Sequence, residues 1–285
     1  MTTVWFSILI SKMLHCRLCL QPKEKLRASH VLPDFLVKMG EEEENINGVS
    51  LSHSKAHIYS NNPQQPFQVF QRGSWEKENG IKEHLLCDNC ERKFSTWETY
   101  VVETLYGRVK KKTKRDLGKS ILPQINYLGH QALKECNFLD LRKIEVDYKK
   151  FKLFQLSLLW RAGISNGIFG IAVKLGKYHE EALRQLLLND TPGEWWRYHC
   201  TLADIRTPGN LFDGAFATFV RRRSNGITLY ELLAGGYRWV FEVASHFNSD
   251  SFCCLSENGI LTIIIADGHE KSRFLLKSIP SLRRQ

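Results

Sequence analysis

Four of the eight cysteines fall into two Cys-x-x-Cys pairs, Cys16/Cys19 and Cys87/Cys90. A short knuckle of this kind presents two thiolates to one ion. Four thiolates at about 2.3 Å make a closed tetrahedral Zn²⁺ site with no open position for chemistry. One pair alone would serve redox chemistry equally well. Two pairs point to structural zinc held by Cys16, Cys19, Cys87 and Cys90. Between the pairs lies Ser29-His30-Val31-Leu32-Pro33. An imidazole with a reference pKa of about 6.5 keeps a usable neutral fraction near pH 7, so His30 is suited to general-base work. Glu91 directly follows the last cysteine of the second pair and offers a hard oxygen donor of the sort Mg²⁺ or Mn²⁺ prefers. His84 and Glu83 stand just before that pair.

Each of these residues also has a plainer reading. His30 can hold the turn before Pro33 by hydrogen-bonding to backbone. Glu91 falls in the first turn of a predicted helix, where a carboxylate meets the positive end of the helix dipole. His84 on a strand can simply pack. Glu98, seven residues beyond Glu91 and so on a similar helix face, reads as an exposed carboxylate.

The elements that must position these groups are legible in outline. Leu26–Leu32 reads as a short strand, and Asp34–Lys38 begins a short helix that Gly40 ends. The acidic run 41–44 and the Asn/Gln/Pro-rich stretch 60–66 read as loop, with a weak strand at Phe67–Phe70. Ile81–Leu86 leads as a strand into the second knuckle. Phe94, Trp97, Val101, Val102 and Leu105 then recur at three- and four-residue spacing, which predicts a helix from Asp88 to Leu105. A knuckle, a hairpin and a helix carrying the second ligand pair is the treble-clef order.

Taken together, Cys16-x-x-Cys19, Ser29-His30-x-x-Pro33 and Leu85-Leu86-Cys87-x-x-Cys90-Glu91-Arg92-Lys93 resemble the zinc-bearing HNH endonucleases of the ββα-metal group. The resemblance spans about residues 13–106. It implies that His30 is the base that deprotonates a water for attack on a phosphodiester. It also implies a catalytic Mg²⁺ or Mn²⁺, held here by Glu91 with His84 or Glu83. Zinc would keep hairpin and helix in register. The chain departs from the family in three places. Ser29 stands where an Asp or His usually ligates the metal, Glu91 where Asn or His is usual, and Lys82 where an Asn usually orients the base.

Beyond this segment, the chain of 285 residues has ordinary soluble composition, 43% hydrophobic and 25% charged. Its net charge of +10 favours a polyanionic partner, most often nucleic acid, and the resemblance makes DNA the first expectation. Lys110, Lys111, Lys112, Lys114 and Arg115 form a basic run between the halves, and Arg221-Arg222-Arg223 a tighter cluster. Both are candidate phosphate contacts, and both can equally be solvated surface. Cys136, Cys200, Cys253 and Cys254 read as buried free thiols in a reducing, cytoplasmic compartment. The apolar stretch Val4–Leu14 is too short for a membrane span. With Met13 just ahead of Cys16, residues 1–12 read as an upstream extension.

The second half opens with a helix at Phe151–Ala162, apolar on most sides and therefore buried, and an amphipathic helix at His179–Leu188. Strands follow at Ile227–Leu233, Tyr237–Ala244, Ile260–Ala266 and Phe274–Ile279, the first two joined by Ala234-Gly235-Gly236. Trp195, Trp196, Trp239 and Phe241 are expected mostly in a core, with base stacking as the other use of such aromatics. The expected class is α+β. A zinc domain with its basic linker covers 13–118, and an α+β unit with a mostly antiparallel sheet covers 119–285. No P-loop, nucleophile elbow or His-Glu-x-x-His is present in the second half. The resemblance implies metal-dependent cleavage of nucleic acid, in a bacterial defence system or mobile element. The alternative is a zinc module that binds nucleic acid or a protein without cutting. A protein partner or a homodimer would meet the second half.

Overall fold

The computed structural model describes residues 13–38, 45–46, 49–50, 55–62, 65–71, 82–106, 128–129, 136–140, 147–194, 197–204, 217–224, 227–245 and 262–266. Short strands β1 (Leu14–His15) and β2 (Pro22–Lys23) pair antiparallel around the first knuckle. Strand β3 (Arg27–His30) is followed by helix α1 (Asp34–Lys38). Two hairpins come next: β4 (Asn45–Ile46) with β5 (Val49–Ser50), and β6 (Lys55–Asn62) with β7 (Gln65–Gln71). The second hairpin corrects the expectation of a loop over 60–66. Its strands run through most of that stretch, because backbone pairing is available to Asn and Gln as much as to apolar residues.

Strand β8 (Lys82–Leu86) returns to pair antiparallel with β3 and delivers Cys87 to helix α2 (Asp88–Tyr106). Phe94, Trp97, Val101 and Leu105 are all buried, so the spacing that predicted this helix also faces its core.

In the second half, β9 (Leu128–Gly129) and β10 (Cys136–Asp140) precede helix α3 (Tyr148–Ile164), whose first turn is capped by the Asp147 carboxylate accepting from the Lys150 N–H. Helices α4 (Ile168–Ala172) and α5 (Gly176–Leu188) follow. Strands β11 (His199–Asp204), β12 (Ala217–Ser224), β13 (Ile227–Ala234), β14 (Tyr237–Val243) and β15 (Thr262–Ala266) complete the described chain. The seven strands of the large sheet run in the order β12-β13-β14-β11-β15-β10-β9. Every described pairing in it is antiparallel except β11 with β15. The α+β class with a mostly antiparallel sheet therefore holds.

Ala234 pairs with Tyr237 across a two-residue turn, and Gly235 and Gly236 both have positive φ (63° and 74°). Only such a turn matches the right-handed twist of the strands, and glycine occupies it without strain.

Helix α3 sits at the centre. Thirteen of its residues are buried, from Phe151 through Ala162 without a break and then Ile164. Trp160 meets Phe94 of α2 edge-on at 6.1 Å, and Phe154 meets Trp239 of β14 at 5.8 Å. One contiguous buried cluster thus runs from Cys16 and Leu18 through α2 and α3 to the sheet. Trp239 and Phe241 lie wholly inside it, which assigns them to packing and removes them as stacking platforms for bases. The expected strand at Phe274–Ile279 and the pair Trp195–Trp196 lie outside the described residues. Among the described residues, no helix is long and apolar enough to cross a membrane.

Candidate metal centre and catalytic cluster

The four paired cysteines converge. Sγ atoms of Cys16, Cys19, Cys87 and Cys90 all lie within 4.8 Å of one another, close enough to hold one metal ion. Local backbone explains how. Leu20 donates its N–H to Cys16 O at 2.8 Å and adopts a left-handed φ of 59°, which folds the knuckle back so that Cys16 N–H reaches Gln21 O. The Arg17 N–H then donates to Leu85 O at 2.9 Å, tying this knuckle to β8 beside the second one. Cys87 N–H points at Cys16 Sγ, 3.3 Å away. That arrangement favours a thiolate at Cys16.

The electrostatics of the thiols agree. The Cys16 thiol is drawn down to about 4, chiefly through its hydrogen bond with Cys90, while the Cys90 thiol is pushed up by the same contact. Burial raises Cys19. In a group this tight, negative charge on Cys16 disfavours charge on Cys19 and Cys90. Four simultaneous thiolates need a cation at the centre. This donor set fits zinc in a closed structural site.

His30 ends β3. Its Nε2 is buried, makes no hydrogen bond among the described residues, and faces Asp34 Oδ1 at 3.5 Å. Burial lowers its pKa, partly opposed by Asp34, which leaves the ring neutral and able to accept a proton. The buried hydroxyl of Ser29 donates to Glu91 Oε2 at 2.5 Å. The strand residue before His30 and the helix residue after Cys90 therefore meet directly.

His84 takes a different role from the one expected. It sits opposite Ala28 in the β3–β8 ladder, with Nδ1 3.1 Å from Leu26 O, and its side chain is exposed. Alternation along β3 puts Ala28 and Ser29 on opposite faces of the hairpin, so His84 does not share the face on which Ser29 meets Glu91. Glu83 is also taken up. Its two oxygens accept from the N–H groups of Asn166 and Gly167 at 2.9–3.1 Å, at the entry to α4.

One residue that sequence reasoning did not single out, Arg161, and one that it read as a solvated carboxylate, Glu98, complete the cluster. Arg161 of α3, fully buried, donates from Nη1 to His30 O at 2.8 Å and sets Nη2 2.7 Å from Glu98 Oε1. Its guanidinium also lies over the Phe94 ring at 5.3 Å. A signal was present, since Arg161, like Lys152, is a charge buried in a largely apolar helix and must find a partner there. Glu98, expected as a solvated carboxylate, is that partner.

Of the basic candidates, Arg221 and Arg223 are exposed on β12, opposite Tyr230 and Thr228 of β13; for Arg222 only the backbone is described. Lys110, Lys111, Lys112, Lys114 and Arg115 lie outside the described residues. No protein-family model matches the chain, and comparison with curated proteins and with solved structures gives no significant match.

Proposed function

We propose that this protein is a divergent zinc-stabilised endonuclease of the HNH type, cleaving phosphodiester bonds in nucleic acid, with DNA as the first expectation. The observation that carries the reading is the meeting of Ser29 and Glu91 beside the four-cysteine cluster, with His30 next to Ser29. Those are the positions at which the resemblance would have a strand residue and a helix residue share the catalytic metal. The element order knuckle, hairpin, helix supports a treble-clef reading of residues 13–106.

In this reading His30 takes a proton from water as the water oxygen bonds to phosphorus and the bond to the 3′ oxygen breaks. Burial of the ring keeps it neutral for that step. Glu91 would hold Mg²⁺ or Mn²⁺, with the Ser29 hydroxyl as a neutral oxygen beside it; one carboxylate plus waters and a substrate phosphate is a common Mg²⁺ arrangement. Such an ion, when bound, offsets charge on the phosphate. Zinc at Cys16, Cys19, Cys87 and Cys90 holds the two elements that carry these groups. Arg221 and Arg223 offer phosphate contacts on the sheet.

A second reading draws on the same contact. A serine in place of a carboxylate at position 29 caps Glu91 with a hydroxyl and weakens a metal site, as in a module that binds nucleic acid without cutting it. Nicking of supercoiled plasmid by zinc-loaded protein with Mg²⁺ or Mn²⁺ separates the two. Nicking that disappears in His30→Ala supports the nuclease; binding without nicking under both metals supports the module.

A further inference from the structure

Beta-strands of a two-stranded hairpin have little stability alone, so the geometry at His30 depends on what braces β3 and β8. Both strands are braced by one stretch of the second half. At the end of α3, Arg161 reaches β3 and holds the carbonyl of His30 at 2.8 Å. Five residues later, the N–H groups of Asn166 and Gly167 hold the Glu83 carboxylate of β8, and Glu83 is the ladder partner of Ser29. Arg161 is itself fixed from three directions: by Glu98 of α2 at 2.7 Å, by the Phe94 ring, and by its own helix through Ser157 O. A buried guanidinium held by the His30 carbonyl through Nη1, by the Glu98 charge at Nη2 and by the Phe94 ring has little freedom to turn, so its planar fork acts as a brace.

We propose that Arg161 is a positioning residue for His30, and that the end of helix α3 is part of the support of the catalytic hairpin. This rests on the nuclease reading for its consequence in rate but not for its geometry. Among the described residues His30 Nε2 makes no hydrogen bond, so its direction follows from the backbone it hangs from and from the Asp34 side chain nearby. Releasing the His30 carbonyl lets the strand end move, and misplacing a catalytic group by about 1 Å can cost on the order of a hundredfold in rate.

The test uses the full chain loaded with zinc, in wild type, Arg161→Met, Arg161→Lys and Glu98→Gln forms. Plasmid nicking is followed with Mg²⁺ and Mn²⁺, and the histidine ring signals by NMR of ring-labelled protein. Arg161→Met is expected to lower kcat by about ten- to a hundredfold while KM for plasmid stays within about twofold, because the residue touches His30 and not the substrate. Arg161→Lys, which keeps one donor, recovers part of the loss. The His30 ring signal moves in Arg161→Met while the buried His199 signal stays in place. Wild-type kcat together with an unmoved His30 signal in Arg161→Met overturns the proposal, as does an equal loss in the Met and Lys forms. Should Arg161→Met fail to keep its zinc, Glu98→Gln decides: an altered His30 signal upholds the brace and an unaltered one overturns it. Absence of nicking in wild type defeats the nuclease reading alone, since the His30 signal still judges the geometry.

Discussion

The hydroxyl of Ser29 and the carboxylate of Glu91 meet at 2.5 Å across the junction of hairpin and helix. Sixty-two residues apart in sequence, they are brought together because the cysteine cluster fixes the start of α2 against the end of β8. A neutral donor beside a single carboxylate makes a modest site for a divalent ion. A second carboxylate would make a stronger one, at the cost of repulsion when the ion is absent. Ser29→Asp is therefore expected to melt lower than wild type in chelator-treated buffer containing zinc alone, and to gain several degrees on adding Mn²⁺. Thermal melts with and without Mn²⁺ check this, and a Mn²⁺ response no larger than that of wild type would count against Glu91 as a ligand.

The sulfur cluster yields a sharper expectation. Cys16 contributes a ligand and also accepts the N–H of Cys87, so Cys16→Ala removes both. The variant should purify with less than half the zinc of wild type. Cobalt-loaded wild type should show intense thiolate-to-metal absorption that the variant lacks. Structural zinc sites in small modules bind with free energies on the order of 10 kcal/mol, so chelation should lower the melting temperature markedly. Full zinc content in Cys16→Ala would contradict a four-sulfur site.

Stability should fall as acid is added. His199 is almost wholly buried, and burial, with the Lys152 charge adding to it, holds its pKa well below the ordinary value. Burial lowers His30 and His179 as well. A histidine neutral in the fold protonates on unfolding once the pH is below about 6.5, so the unfolded state then binds more protons. Their contribution is fully present above pH ~6.5 and is lost as pH drops through the window below it. The melting temperature should decline from pH 7 toward pH 5.5, and His199→Gln should decline less steeply. A wild-type slope in that variant would show that His199 is not a source of the effect.

Helix α4 packs at Gly170 directly against the end of α3, with almost no room between them. A methyl on Gly170 would lie 1.8 Å from the carbonyl oxygen of Ser165, a backbone atom that cannot swing aside. Gly170→Ala is therefore expected to cost at least about 1–3 kcal/mol, the usual range for overpacking. Gly167→Ala is the control. Its new methyl would meet only Glu83 Oε1 at 3.5 Å, an ordinary contact, and should change stability by about 0.5 kcal/mol or less. Urea unfolding midpoints of the two variants give the comparison, and equal midpoints would refute it.

If the exposed pair on β12 meets phosphate, binding must depend on salt. Arg221→Ala and Arg223→Ala should each reduce the slope of log K against log salt by about 0.9 on double-stranded DNA, one counterion's worth. Unchanged slopes would assign these arginines to ordinary solvated surface.

The four cysteines of the metal-binding cluster were readable because a metal site needs particular atoms at particular spacings, and sequence carries both. Helix α2 was readable for a related reason: Phe94, Trp97, Val101 and Leu105 repeat at its own period and are all buried. The hairpin β13–β14 announced itself through Gly235-Gly236 and the alternation after Tyr237. Reading ran out where structure depends on residues distant in the chain. Nothing near Glu83 in sequence says that its carboxylate will meet the Asn166 and Gly167 amides, and nothing near Glu98 says that Arg161 will approach. Strands β11 and β12 were missed because His199–Asp204 mixes polar and apolar residues and Ala217–Ser224 carries three arginines. Both gain strand structure from pairing with neighbours in a sheet, which outweighs local propensity.

Helix α3 answers to three neighbours at once: the α2 face at Trp160, the sheet at Phe154, and the strand end at His30 through Arg161. Most of its circumference is already committed, so a change on one side has little slack on the others to absorb it. On this ground α3 is expected to drift more slowly than the rest of the second half. Its substitutions should come in matched sets with partners in α2, in β14 and at the end of β3. The sequence record of any relatives should therefore show coupled variation radiating from this helix, even where the surrounding loops have diverged freely.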